Sequence, residues 1–144
     1  MDKVQELNKF LKGIHMGADA FKKYYAEAKS EEVKQALGNI LDSYKKHEEA
    51  VTHRIEELNG DAADTTGVFG AMGGMWEDLK LTMANGDSDL LEIAIKAINM
   101  GKENAVKFVS EHKDLEFSVT DELTAIISDY NRHIRMLEEI KIKL

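Results

Sequence analysis

Two short pairs of residues in this chain are able to do chemistry, and they are related to each other. Tyr44 and His47 lie three residues apart, as do Tyr130 and His133. At that spacing the two side chains share one face of a helix, so each pair presents a phenol and an imidazole to the same neighbour. Upstream, Ile14-His15-Met16-Gly17-Ala18-Asp19 has a weak echo in Ile98-Asn99-Met100-Gly101-Lys102-Glu103. The two echoes occur in the same order at nearly the same offset, which points to duplicated helical hairpins. Duplication brings two Tyr-x-x-His pairs and two acids, Asp19 and Glu103, into related positions within one bundle, where helical proteins place carboxylate and imidazole metal ligands.

Composition narrows what such a cluster can do. The chain has 144 residues, 43% of them hydrophobic, enough for a single domain with a proper core. Cysteine is absent, so thiolate ligands and thiol redox chemistry are excluded, and any metal must bind through His, Asp, Glu or Tyr. The net charge of −8 comes with no basic patch, which argues against a nucleic-acid partner. The amino-terminal residues are polar and no window approaches 18 apolar residues, so neither a leader nor a membrane span is expected, and the predicted location is the cytoplasm.

The elements that must position these residues are helices. Proline is absent and Ala, Leu, Glu, Lys and Ile are abundant, a composition suited to long uninterrupted helices. Val4, Leu7, Leu11, Ile14, Ala18, Phe21, Tyr25 and Ala28 form one stripe and predict a first helix over about 2–29. Ser30 with Glu31 and Glu32 caps a second, whose stripe runs through Val33, Leu37, Ile40, Tyr44, His47, Val51, Ile55 and Leu58 to a stop at Asn59-Gly60. Residues 61–87 are rich in Asp, Thr and Gly and read as a crossover, with a short helix around Trp76. The break and cap at Asn85-Gly86-Asp87-Ser88 predict a third helix over about 88–112, its core stripe passing through Leu91, Ala94 or Ile95, Ile98, Gly101, Ala105, Phe108 and His112. A turn around 114–119 and a cap at Thr120-Asp121-Glu122 predict a fourth, carrying Leu123, Ile127, Tyr130, His133 or Ile134, Leu137 and Ile140. The reading is an all-α, four-helix bundle in one domain, 1–144, with hairpins 2–60 and 88–144 joined by the crossover 61–87.

One long crossover between two hairpins is the connectivity of ferritin-like bundles. With it, Trp76-Glu77-Asp78-Leu79-Lys80, Gly86-Asp87, the Gly101 to Ala105 run, Arg54-Ile55-Glu56-Glu57-Leu58-Asn59-Gly60 and Arg132-His133-Ile134 resemble a family of small bacterial ferritin-like proteins of unknown function. The resemblance spans nearly the whole chain and implies a ferritin-like fold and, by association, a stress-related role. Ferritin-like di-iron sites take one Glu from each of two helices and a Glu-x-x-His from each of the others. Here Tyr44 and Tyr130 stand at the Glu of both Glu-x-x-His motifs. Counting back from the turn near residue 30 puts His15 level with Tyr44, while Asn99 or Gly101 comes level with Tyr130, so the remaining Glu are missing too.

Two readings follow for the cluster. In one, His47 and His133 bind a single zinc or iron ion with help from His15, Asp19, Glu103 or the phenolate of Tyr44 or Tyr130. In the other, no cofactor binds, the site has decayed, and the Tyr and His side chains satisfy one another in a metal-free core while the surface acts by association. The second is favoured, because a site poor in carboxylates holds hard metals weakly. No nucleophile with a general base is recognisable, and enzymatic activity is not expected. Val68, Phe69, Met72, Met75 and Trp76 offer more apolar surface than a short crossover needs and predict a homo-oligomer, with a different protein partner left open.

Overall fold

The computed structural model describes residues 2–64 and 83–144. It contains four helices, α1 (Lys3–Glu27), α2 (Glu31–Glu57), α3 (Asp87–Glu111) and α4 (Phe117–Ile142), and no strand among the described residues. The expected crossover helix at Trp76 and the apolar run from Val68 lie outside the described residues.

Helix boundaries follow from capping. Asp2 accepts from the Gln5 N–H at 3.2 Å and Ser30 from the Val33 N–H at 3.2 Å, so each starts a helix by satisfying an otherwise unpaired donor. Asn59, at φ 60°, supplies the left-handed residue that ends α2. Two expectations need correction. The fourth helix starts at Phe117, ahead of the Thr120 cap, because the Glu116 carbonyl already accepts from Val119 and Thr120, and burying Val119 secures that extra turn. Asp87, expected just outside the third helix, opens it, and its carboxylate caps the other hairpin by accepting from the Lys29 and Ser30 N–H groups at 2.9 and 2.8 Å.

The stripes pack into one core. Leu11, Phe21, Leu37, Ile40, Ile55, Leu91, Ile98 and Leu137 are fully buried, each contributing about 1.5–3 kcal/mol of burial free energy. In the first stripe Tyr24, not Tyr25, turns inward, at 3% against 40% exposure. In the third, Ala94 is buried and Ile95 only partly so.

Neighbouring helices all run antiparallel. Between α1 and α3, Phe10 meets Phe108 with ring centroids 5.1 Å apart, and Glu6 pairs with the buried His112. Between α2 and α4, Tyr44 faces Tyr130, Arg54 pairs with Glu122 and Glu32 with Lys143. The two ends of the connection between hairpins are far apart. Gly60 packs so closely on Val4 that a Cβ there would lie 2.5 Å from its side chain, whereas Asp87 sits on the turn at Lys29 and Ser30. Gly60 and Asp87 therefore lie at opposite ends of the bundle, about 37 Å apart for helices of this size.

Candidate functional site

At mid-height α2 and α4 bring Tyr44, His47 and Tyr130 together, and His133 lies buried nearly one turn beyond Tyr130. The Tyr44 and Tyr130 rings are 5.6 Å apart, His47 lies edge-on to Tyr130 at 5.6 Å and to Tyr44 at 6.2 Å, and Phe21 closes the cluster 5.2 Å from Tyr44. All four Tyr and His side chains are buried. The opposing helices make room with glycine. A Cβ at Gly17 would stand 2.3 Å from the Tyr44 ring, so that ring lies directly on the α1 backbone. Gly101 faces Tyr130 as the sequence count expects, at an ordinary 3.6 Å. His15, expected level with Tyr44, sits farther along and pairs with Glu48 instead.

The electrostatics of the cluster are those of uncharged groups. Burial pushes the Tyr44 and Tyr130 phenols well above their ordinary value, and ionisation of each is disfavoured further by a neighbour, Tyr130 beside Tyr44 and Asp129 beside Tyr130. Burial holds His47 below its ordinary value even though its Nε2–H donates to the Asp129 carboxylate at 3.0 Å. Burial, assisted by the Arg132 guanidinium, pulls His133 down to about 4. For Asp129, burial pushes upward, but the His47 hydrogen bond and Arg132, which is 2.8 Å away, outweigh it and hold the carboxyl below its ordinary range. At neutral pH the centre thus holds two neutral imidazoles and two protonated phenols, with one carboxylate at its edge. His47 Nδ1 and His133 Nε2 find no hydrogen-bond partner among the described residues.

The other expected ligands lie elsewhere. His15 is engaged at both ring nitrogens: Nδ1 meets the Glu48 carboxylate, and Nε2 is 3.0 Å from the Ala63 carbonyl. Asn8 reinforces that attachment, donating to the Asp61 carbonyl at 2.9 Å and accepting from the Ala63 N–H at 2.7 Å. Asp19 is buried, with one carboxylate oxygen 3.5 Å from Lys23 Nζ in an ion pair but not in hydrogen-bonding geometry. Glu103 is exposed on α3 and lies outside the core. Among the described residues no three His, Asp or Glu side chains gather in a metal-holding arrangement. Sequence reading missed Asp129 and Glu48, the acids that pair with His47 and His15. Asp129 precedes His133 by four residues, a spacing that puts it one turn away on the same side of the helix.

Residues 2–111 match a family described as a domain of unknown function, DUF2383. The chain belongs to that family. The match takes in the first three helices, and α4, with Tyr130 and His133, extends beyond it. No curated protein and no solved structure matches the chain. No helix among the described residues of this DUF2383 protein is long and apolar enough to cross a membrane.

Proposed function

We propose that this protein is a ferritin-like bundle whose metal site has decayed, and that it works without catalysis, by association, in the first place with copies of itself. The ferritin-like assignment draws support from the wholly antiparallel neighbours and from Gly60 and Asp87 standing at opposite ends of the bundle. One observation carries the loss of metal chemistry: phenols held protonated stand where a di-iron site needs bridging carboxylates, and the nearest acids are engaged or exposed. The donor set does not fit a di-iron centre. Phenolate, the form of tyrosine that binds metal, is the form that burial at this centre disfavours. A core built this way serves stability, which leaves the surface to carry function.

A second reading draws on the bare nitrogens of His47 and His133. A buried imidazole nitrogen without a partner loses its hydration uncompensated, and a single zinc or iron ion would relieve that cost. Elemental analysis of protein purified without a histidine tag separates the two. The decayed-site reading expects essentially no bound metal, and the metal reading about one ion per chain.

A further inference from the structure

Hairpin 2 carries an apolar groove on its outer seam, between α3 and α4, lined by Val106, Val109, Leu115 and Ile127 together with Lys113 and Thr120, with a volume of about 570 Å³. Phe117, the first residue of α4, stands at its mouth and is 81% exposed. The internal repeat gives a second seam to compare with this one. The alignment that pairs Ile14 with Ile98 also pairs Tyr25 with Val109, and the one that pairs Tyr44 with Tyr130 also pairs Lys34 with Thr120, Gly38 with Thr124 and Leu41 with Ile127. In hairpin 1 the seam is filled. The Tyr25 ring lies across Gly38, where a Cβ would come within 3.1 Å of it, and Lys34 Nζ sits 5.0 Å from the ring centroid. Hairpin 2 has valine in place of that tyrosine and Thr124 in place of that glycine, and among the described residues its seam is open.

We propose that the groove of hairpin 2 is an interface for a second copy of this chain, with Phe117 of each copy inserted into the groove of the other. The inference rests on the self-association reading and names its surface. Three features select this occupant. An aromatic ring is what the repeat places in the matching seam. Phe117 projects from the mouth of its own groove, so a two-fold axis beside it satisfies both grooves at once, the self-complementary arrangement of an isologous dimer. The charges also suit each other, because acids at Asp114 and Asp121 flank Phe117 while Lys113 lines the groove, able to meet the incoming ring and its acids as Lys34 meets Tyr25. A buried aromatic anchor in an apolar pocket is the arrangement that dominates small interfaces.

Sedimentation equilibrium on the full chain tests this with two variants. Phe117→Ala removes the anchor, and because Phe117 is exposed the helical circular dichroism should not change. Val109→Tyr puts a ring into the groove from its own α3 and so obstructs entry of another. The expected result is a dimeric parent and a dissociation constant raised at least about tenfold in each variant. A dimeric parent whose constant neither variant alters would overturn this interface and leave self-association through another surface standing. A parent monomeric at high micromolar concentration would overturn both.

Discussion

Replacing His133 with leucine should flatten the acid limb of this protein's stability curve. His133 is held down to about 4 in the fold, chiefly by burial, against 6.5 for a free side chain. Between those values the unfolded chain binds a proton at this residue that the folded chain does not, so stability rises with pH there and is lost as pH falls. The contribution is fully present above 6.5. At pH 4 its loss comes to about 3 kcal/mol, a large fraction of the 5–15 kcal/mol typical of a domain. His47 is also lowered, again mainly by burial, and adds to the loss in the same direction. Leucine fills a similar volume, needs no partner for a ring nitrogen and does not titrate. Urea melts of parent and His133→Leu at pH 7, 6, 5 and 4, followed by circular dichroism, measure the difference. The parent should lose about 3 kcal/mol more than the variant over this range, with a difference slope near one proton in the middle of it. Parallel curves would show that His133 is solvated or charged in the fold, and the reasoning about a neutral core would fail with it.

Two further substitutions probe the packing. Alanine at Gly17 must displace the Tyr44 ring and should cost about 1–3 kcal/mol in chemical denaturation, whereas alanine at Gly101 meets Tyr130 at ordinary contact distance and should be neutral or up to about 1 kcal/mol stabilising, as helix propensity favours alanine over glycine. Equal effects at the two sites would contradict the asymmetry between the tyrosines. Asp87→Ala removes the acceptor for two backbone N–H groups across the hairpins and should lower stability by about 1–3 kcal/mol, with hydrogen exchange at Ser30 accelerated; unchanged protection there would remove Asp87 from the account.

The helices were legible because their apolar residues keep a period near 3.6 over seven turns, and a stripe of that length determines which face is buried. The meeting of Tyr44, His47 and Tyr130 was legible for the same reason, reinforced by the repeat. What escaped were residues at the edges of stripes. Asp129 and Glu48 look like members of a solvated acidic face until the neighbouring helix is in place, since only the cross-bundle register pairs them with His47 and His15. That register also moved by about half a turn from the simple count, which put Gly17 rather than His15 against Tyr44. Adjacent aromatics blur a stripe, so Tyr24 and Tyr25 exchanged roles. The start of α4 was missed because neither Glu116 nor Phe117 offers a side-chain cap, and Thr120 drew the boundary inward.

We propose that the Tyr–His centre holds the bundle together without metal. The thermal midpoint of untagged protein, measured with excess chelator and again with about 100 μM zinc or ferrous ion, tests it most directly. A ligand that binds only the folded state raises stability by RT ln(1 + [L]/Kd), so occupancy at even micromolar affinity would add about 2.7 kcal/mol, a shift of several degrees. The account predicts the same midpoint in all three solutions. A midpoint that falls with chelator or rises with metal, and does neither once His47 and His133 are both leucine, would contradict it.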